Sequence, residues 1–378
     1  MTDDAQVSRV LVVGGGITGS TLALALARRG VRVVLVEARA EWAGIGHGIT
    51  IQGNALRAFR SVGVLNDVLA RGVPFHQMRL READGGLIAE LSTPHTGGGD
   101  LPATLGALRS DLAGILAEAV RAADVDVRLG TTVTAVDDDG AGVTATLSDG
   151  TAERADLLVG ADGIRSRTRA MLGIPETPQP VGMGIWRVVA PRPPEMDCAE
   201  VYYNGPKFKA GYSPISADRC YAYLLEENLD PAFIGERPFG WVLKERSAGY
   251  GGTWGRIRDG IADDALVNYQ WIEAILVPDP WFRGRCLVVG DAAHACPPLI
   301  AQGAAMCAED AVVLAEILTS GLPVDEALPA FMARRFPRVK LVLDNSLQLA
   351  YWETHPGTPG ADPGGIITRT LMALREPA

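Results

Sequence analysis

The sequence lacks the cysteine patterns that stabilise small secreted proteins or bind zinc. No C-x-x-C pair occurs among its five cysteines, an odd number, which are Cys198, Cys220, Cys286, Cys296 and Cys307. We therefore expect neither a disulfide framework nor a metal site. Such cysteine usage is typical of a reducing compartment, and we predict a cytoplasmic protein.

A surplus of basic residues is also missing. The chain has 35 Lys and Arg against 45 Asp and Glu, a formal net charge of -10 at pH 7. This balance disfavours binding to nucleic-acid phosphates, so we expect a small-molecule partner. The first six residues are acidic where a signal peptide would be basic.

The sequence also lacks a continuous apolar run long enough to suggest a membrane span. Residues 10–27 are uncharged, but four glycines and the hydroxyl residues Thr18, Ser20 and Thr21 break the run. It is better interpreted as a buried strand and a core helix than as a membrane span, so no membrane partner is expected. With 378 residues, 47% hydrophobic and 21% charged, the chain has the composition of a globular protein with two domains or one large insertion.

The clearest motif is a glycine turn near the amino terminus. Residues 9–37 read as a strand, a turn, a helix and a second strand that ends at Glu37. Gly14 permits the tight turn, Gly16 lets the backbone approach a pyrophosphate, and Gly19 lets the helix pack on the strand. Glu37 can accept hydrogen bonds from ribose hydroxyls and would repel a 2'-phosphate. The motif predicts an adenine dinucleotide, either NAD or FAD.

Two later segments repeat the pattern of a buried strand followed by a turn. Residues 155–161 lead into Asp162-Gly163, and residues 284–290 lead into Asp291. Asp291 can accept hydrogen bonds from a polyol. A long helix is predicted to begin near Gly303, where backbone N–H groups and the helix dipole would stabilise a negative charge on a bound ring.

The remaining segments predict an α/β protein with an antiparallel part. Arg109 opens a predicted helix that Ser110 or Asp111 could cap. A small sheet is predicted from residues 125–129, 133–136, 143–147 and 152–154, and antiparallel strands from residues 185–189, 200–203, 210–214, 220–226 and 271–277. The middle of the chain holds most of the tryptophans and tyrosines, a composition suited to an apolar pocket.

With these segments placed, the sequence resembles the flavoprotein aromatic hydroxylases of the p-hydroxybenzoate hydroxylase fold. Three motifs match that family in the family's order: Gly14-x-Gly16-x-x-Gly19, Asp162-Gly163-x-x-Ser166-x-x-Arg169 and Gly290-Asp291-Ala-Ala-His-x-x-Pro-Pro. The resemblance covers nearly the whole chain. The second and third motifs favour FAD over NAD.

The resemblance implies a Rossmann-like FAD-binding domain interleaved with a substrate domain built on a mostly antiparallel sheet. The FAD-binding domain would comprise residues 1–75, 104–170 and 278–378. The substrate domain would comprise residues 76–103 and 171–277. We expect a monomer or a homodimer.

The same similarity assigns residues to the cofactor. Glu37 would bind the AMP ribose, Arg109 the pyrophosphate region, Val133 the adenine, Asp291 the ribitol, and the backbone of Gly303 to Ala305 the flavin pyrimidine. The residues expected to contact FAD are Gly14, Gly16, Ile17, Thr18, Gly19, Glu37, Ala38, Arg39, His47, Gly48, Arg109, Val133, Asp162, Gly163, Asp291, Gly303, Ala304 and Ala305.

The chain also departs from the family's pattern. Ala301-Gln302-Gly303-Ala304-Ala305 stands where the family usually has Gly-Gln-Gly-x-Asn. His47 occupies a position where a small residue is common, and Gly53 replaces a common proline. Backbone donors survive these changes, so flavin binding should persist.

The implied reaction is hydroxylation of a small aromatic or heteroaromatic substrate. NADH or NADPH, bound transiently, would reduce FAD, and O2 would give a flavin C4a-hydroperoxide that transfers its distal oxygen to the ring. A base that deprotonates a phenol or a ring N–H would activate the substrate. The candidate substrate-pocket and catalytic residues are His47, Tyr212, Arg187 and, at the pocket rim, Pro298. Local hydrogen bonding, sheet packing and a surface ion pair are the alternatives for His47, Tyr212 and Arg187 respectively.

Two other functions stay open on the sequence alone. One is a FAD-dependent oxidoreductase that inserts no oxygen, because its binding motifs could be the same. The other is a non-catalytic flavin protein that binds a pathway intermediate.

Overall fold

The computed structural model describes residues 7–42 and 46–378. The acidic amino-terminal residues discussed above lie outside these ranges. The strands are β1 (Arg9–Val13), β2 (Arg32–Glu37), β3 (Gly48–Gln52), β4 (Val73–Phe75), β5 (Gln77–Glu82), β6 (Leu87–Ser92), β7 (Thr104–Leu108), β8 (Val125–Leu129), β9 (Val133–Asp138), β10 (Val143–Leu147), β11 (Ala152–Ala155), β12 (Leu157–Gly160), β13 (Gln179–Pro191), β14 (Ala199–Tyr203), β15 (Lys209–Pro214), β16 (Arg219–Glu227), β17 (Val267–Ala274), β18 (Phe282–Arg283) and β19 (Cys286–Val288).

The helices connect these strands and cover the sheets. They are α1 (Ile17–Ala27), α2 (Gly53–Ser61), α3 (Leu65–Arg71), α4 (Arg109–Ala122), α5 (Arg167–Met171), α6 (Pro231–Ile234), α7 (Phe239–Arg246), α8 (Gly252–Asp259), α9 (Asp291–His294), α10 (Gly303–Leu318), α11 (Val324–Thr354) and α12 (Pro363–Ala373). A 3-10 turn covers Pro298–Ile300. No helix in the described part of the chain is both long and apolar enough to cross a bilayer.

The first sheet explains the apolar run near the amino terminus. Its order is β18-β19-β12-β1-β2-β8, parallel except at the β18–β19 pair. Val10 and Val12 face a core that includes α1 and α10, whereas Leu11 and Val13 face a core formed with the sheet β11-β10-β9. Both faces are therefore covered, and the strand is apolar at every buried position instead of alternating.

Two details of the predicted topology were wrong. β8 was expected in the small sheet, but it pairs in parallel with β2, and the small sheet consists of β9, β10 and β11. A strand's own pattern does not specify its partner, which is why spacing alone misplaced it. In addition, no described side chain caps α4, whose cap position is Leu108 instead of Ser110 or Asp111.

The second large sheet has the order β17-β13-β16-β15-β14-β5-β6 and is antiparallel except where β5 pairs with β14. One of its faces packs against α7 and α8 in a core that contains Trp186, Tyr212 and Trp254. The strands β5 and β6 join it from far earlier in the chain. We therefore propose the domain division given above, with residues 76–103 and 171–277 packing as one unit.

Candidate active site

A cavity of about 1910 Å³ is lined by residues of both large sheets and of α10 and α11. Pockets for one small ligand usually span roughly 300–1,000 Å³. The volume is thus sufficient for a dinucleotide together with a ring beside it. Of the residues predicted to contact FAD or substrate, the structure brings the following to this cavity: Gly14, Gly16, Ile17, Thr18, Glu37, Ala38, Arg39, His47, Gly48, Arg109, Asp162, Gly163, Arg187, Tyr212, Asp291, Pro298, Gly303 and Ala304.

The glycines of the first motif divide into two roles. A Cβ on Gly14, whose φ is +104°, would lie 2.5 Å from the carbonyl oxygen of Ala161, and a Cβ on Gly19 would lie 1.9 Å from the carbonyl oxygen of Gly14. These two glycines allow close packing. Apart from Gly16 and its two neighbours in the chain, no described residue has an atom within 4 Å of where a Cβ of Gly16 would stand. The space beside the start of α1 is therefore open, as an anion bound to helix N–H groups requires.

Glu37 supports the glycine turn from the end of β2. Its carboxylate accepts hydrogen bonds from the N–H groups of Gly15 (2.7 Å) and Arg39 (2.9 Å). Trp42, which sequence reasoning missed, donates from Nε1 to the carbonyl oxygen of Gly15 (2.7 Å) and lines the cavity. No motif marks Trp42, so only its contact with the turn reveals it.

The second motif is mainly structural. The Asp162 carboxylate accepts hydrogen bonds from the Ser166 hydroxyl and from the backbone N–H (2.9 Å) and hydroxyl (3.0 Å) of Thr168. Asp162 thus stabilises the start of α5 with both oxygens. A cofactor would meet the backbone of Asp162 and of Gly163, beside which no described atom fills the space of a Cβ.

The third motif is fixed against the first two. Arg169 donates to the carbonyl oxygen of Ala292 (2.8 Å), which follows Asp291 at the start of α9. A Cβ on Gly290, whose φ is +60°, would lie 2.1 Å from Oγ1 of Thr18. This close approach places the Asp291 carboxylate beside the start of α1, at the cavity.

The start of α10 is positioned by a buried amide. Asn54 donates from Nδ2 to Oε1 of Gln302 (3.0 Å) and to Oε1 of Glu309 (3.1 Å). Gly303 and Ala304 line the cavity, whereas Ala305 is buried behind them. Within the described residues, Nε2 of Gln302 is buried without a hydrogen-bond partner.

Three further residues of the predicted set differ in placement. Gly19 and Val133 are packed in the cores on the two faces of the first sheet, Val133 at 1% exposure beside the cavity-lining Thr132. Tyr212 borders the cavity, but its ring packs against Tyr202 on the helix-covered face of the second sheet, with centroids 6.0 Å apart. This packing favours a structural role for Tyr212 over contact with a substrate.

The cavity face of that sheet carries two tyrosines that are not among the predicted site residues. Tyr221 and Tyr223 lie on β16 with ring centroids 5.6 Å apart. A Cβ on Gly48 would lie 2.1 Å from the Cβ of Tyr221, so the absence of a side chain at Gly48 lets Tyr221 pack against β3. Strand alternation could not show which tyrosines face inward.

His47 lies between charged groups at this end of the cavity. Both ring nitrogens are buried and have no hydrogen-bond partner among the described residues. Its pKa is lowered by burial and by the charges of Arg187 and Arg109. The ring is therefore neutral near pH 7, with one donor and one acceptor available to a ligand.

The altered turn before α10 carries backbone strain. Ala301 has φ +54°, a conformation that favours glycine, and the family's usual residue there is the glycine that this chain lacks. We expect Ala301→Gly to raise the free energy of unfolding by up to about 1 kcal/mol, because the left-handed conformation costs an L-residue roughly 1–2 kcal/mol and glycine's added chain entropy offsets part of that gain.

Thermal or urea unfolding of the apoprotein checks this expectation. The matched control is Ala119→Gly within α4, where the same change should cost about 1 kcal/mol. Destabilisation of equal size by both substitutions would show that the turn is not strained.

The comparisons with known proteins agree with this geometry. A family model described as an FAD binding domain matches residues 7–219 and 262–346. The 2-heptyl-3-hydroxy-4(1H)-quinolone synthase of Pseudomonas aeruginosa is 33% identical over 357 residues, which cover 91% of this chain and 90% of that protein. This chain belongs to the FAD-dependent aromatic hydroxylases. The family prediction is confirmed.

Further members of the family are similar over most of their length. The 6-hydroxynicotinate 3-monooxygenase of Pseudomonas fluorescens is 28% identical, with 83% of both chains covered. The tetrameric form of 2-methyl-3-hydroxypyridine-5-carboxylic acid oxygenase superposes with a TM-score of 0.81 at 27% identity and covers 97% of this chain and 98% of that one. The chain is a flavoprotein monooxygenase, and the predicted α/β fold class and FAD cofactor are confirmed.

The cavity fits FAD as these relationships require. Open space lies beside Gly16 and Gly163, where backbone groups would meet phosphates. Asp291 and Gly303 at the start of α10 also line the cavity, as do His47 and Gln52, whose buried ring nitrogens and Oε1 have no hydrogen-bond partner among the described residues. Phosphate, polyol and ring would each find groups of suitable chemistry.

Proposed function

We propose that this enzyme uses NAD(P)H and O2 to hydroxylate a small aromatic or heteroaromatic ring beside FAD. The observation that carries this proposal is one cavity that joins the glycine turn to a wall of aromatic and aliphatic side chains. Reduced FAD would supply the activated oxygen, and the protein would bind the ring, orient it and exclude water. Relatives named for quinolone and hydroxynicotinate chemistry support a nitrogen heterocycle as substrate.

We propose these roles along the cofactor. Glu37 would accept hydrogen bonds from the AMP ribose with the lone pairs that Gly15 and Arg39 leave free. Asp291 would accept from the ribitol hydroxyls. The first N–H groups of α10 would stabilise negative charge on the flavin pyrimidine, because they and the helix dipole point into the cavity.

On the substrate side, Arg187 and His47 would bind an oxygen of the ring. Arg187 donates to Oε1 of Gln270 (3.2 Å) and its charge reaches both His47 and Tyr221. A phenolate or a ring carbonyl is the matching group, since positive charge and donors face it. Pro298 opens the 3-10 turn at the cavity wall and would shape the rim.

His47→Ala is expected to keep FAD and to alter substrate affinity or coupling. Because the buried ring nitrogens have no other partner in the described chain, their loss should be felt mainly by a ligand. We expect an increase of about fivefold in the Kd of a ring substrate, or a larger share of NAD(P)H oxidised without product, since a hydrogen bond to a neutral group contributes about 1 kcal/mol. The change in flavin absorbance on titration gives the Kd of the substrate, and the ratio of product to NAD(P)H consumed gives the coupling. If neither value changes, His47 has a purely local role.

A screen of phenols and nitrogen heterocycles for stimulated NAD(P)H oxidation tests the proposed function. The monooxygenase should consume NAD(P)H faster with at least one ring compound and should release a product that is heavier by one oxygen atom. A flavin protein that only binds an intermediate would show no stimulation with any ring. A reductase would show stimulation without an oxygenated product.

A further inference from the structure

A buried ion pair lies on the cavity wall, outside the flavin motifs. Lys209 is the first residue of β15 and Glu353 lies in the last turn of α11. Nζ of Lys209 donates to Oε1 of Glu353, and the two side chains are 9% and 16% exposed. Removing two charges from water to this degree costs desolvation free energy, which lowers the stability that the pair can contribute to the fold.

Glu353 keeps one oxygen without a partner. Its Oε2 is buried and accepts no hydrogen bond from any described residue. Both members of the pair line the cavity next to the apolar side chains of Phe208, Leu225 and Trp352. A buried carboxylate oxygen without a donor is unfavourable. A ligand in the cavity can supply the missing donor.

The charges around Oε2 of Glu353 determine which kind of ligand donor it can accept a hydrogen bond from. Burial opposes the charge of Lys209, but the neighbouring Glu353 and Tyr203 outweigh it and raise the pKa of Lys209. Burial also raises the pKa of Tyr203 and Tyr223, which therefore stay neutral. The pair is net neutral, so the free oxygen favours a neutral N–H or O–H group and would repel a substrate carboxylate.

Lys209, which holds Glu353, lies on the same sheet as Arg187, and both residues line the cavity. Arg187 on β13 pairs with Tyr223 on β16, and Lys209 on β15 pairs with Leu225 two positions further along β16. With strands ~4.8 Å apart and a rise of ~3.4 Å per residue, the Cα atoms of Arg187 and Lys209 are about 12 Å apart. A ring with an acceptor oxygen on one side and a donor on the other fits between the two groups.

We propose that Glu353, held by Lys209, accepts a hydrogen bond from a ring N–H or O–H of the substrate. This inference rests on the proposed function and narrows its substrate class to rings that carry such a donor. The hydrogen bond to a carboxylate draws the proton from the ring and raises the electron density of the ring carbons. Oxygen transfer to the ring requires that density, so the contact serves both selection and activation.

Equilibrium binding to the FAD-loaded enzyme, without NAD(P)H, tests the inference. The probes are 4(1H)-quinolone with its 1-methyl derivative and 2-naphthol with 2-methoxynaphthalene, so that each pair differs by a methyl group in place of the donor hydrogen. The perturbation of the flavin absorbance reports the Kd. The wild-type enzyme should prefer the donor form of at least one pair by tenfold or more.

Two variants and one control localise the preference. Glu353→Gln should reduce a tenfold preference to about threefold, because charge-assisted hydrogen bonds are roughly twice as strong as neutral ones. The double variant Lys209→Met with Glu353→Leu removes the pair as a unit, which buried pairs commonly tolerate, and should abolish the preference. Asp344→Asn changes an exposed charge on the same helix, where Asp344 contacts Lys340, and should leave the preference intact.

The outcomes separate this inference from the proposed function. Equal affinity for donor and methylated probes, absence of binding by all four, or a preference that survives both variants would overturn the role of Glu353. A preference that both variants remove, in an enzyme that no ring compound stimulates, would support the contact and refute the monooxygenase. Stimulated NAD(P)H oxidation without any preference for the donor form would support the monooxygenase and refute the contact with Glu353.

Discussion

Arg335→Met is expected to lower the free energy of unfolding by about 3–5 kcal/mol, as loss of one partner from a buried charge network does. Arg335 is fully buried and donates to Oδ1 of Asp310 (2.8 Å) and to Oε2 of Glu309 (2.9 Å). His294 also contacts Asp310, at 2.5 Å. Burial alone would raise the pKa of Asp310, but His294 and Arg335 lower it to about 2. Without Arg335, Glu309 would still pair with Arg338, but the fully buried Asp310 would keep only His294 as a charged partner among the described residues.

Arg334→Met is the matched control, because the substitution is the same and lies one residue away. Arg334 pairs with Glu316 at the surface, where both side chains are more than a third exposed. Such pairs contribute about 0–1 kcal/mol. Chemical unfolding of both variants should therefore give losses that differ several-fold. Equal losses of unfolding free energy in the two variants would mean that the buried contacts of Arg335 with Glu309 and Asp310 do not stabilise the fold.

Asp291→Ala is expected to weaken FAD binding by about 10- to 100-fold, since hydrogen bonds to a charged acceptor contribute roughly 1.5–3 kcal/mol. The carboxylate lies at the cavity, next to the close approach of Gly290 and Thr18. Purified protein should contain little flavin, and titration with FAD should give the weakened Kd.

The control for this variant is Asp325→Ala. Asp325 is also an acid in the first turn of a helix, but it is exposed and lies away from the cavity. Both substitutions therefore remove the favourable interaction of a carboxylate with the positive end of a helix dipole, and they differ in whether that carboxylate lies at the cavity. The control should keep full flavin occupancy, and full occupancy in Asp291→Ala would refute the proposed ribitol contact.

The sequence was sufficient to predict the parts of the fold that depend on local chemistry. The turn around Gly14 follows from backbone sterics, and the strand before it from its apolar residues. The same is true of the start of α10 at Gly303, which the structure shows at the predicted position. These features also identified the family and the cofactor, because flavin binding depends on backbone groups and a few acids.

The features that sequence failed to predict depend on long-range packing. Tyr212 lies on β15 and Tyr221 on the adjacent strand β16. The register pairs Tyr212 with Ala222, the residue after Tyr221, so the two tyrosines point to opposite faces of the sheet and Tyr221 faces the cavity. The helix α11 continues through Pro329 and Pro337, although proline usually interrupts a helix. Core contacts of the helix outweigh the hydrogen bonds that these prolines remove. The ion pair of Lys209 and Glu353 joins residues 144 positions apart, and no local signal marks it.

In the proposed reaction, one atom of O2 enters the substrate ring. Turnover under ¹⁸O2, with the ring compound that most stimulates NAD(P)H oxidation, is the decisive test. We expect a product heavier by one ¹⁸O atom per ring, with no label from H2¹⁸O. A product free of label from ¹⁸O2, formed while NAD(P)H is consumed, would contradict it and assign the chain to flavoprotein oxidoreductases that insert no oxygen.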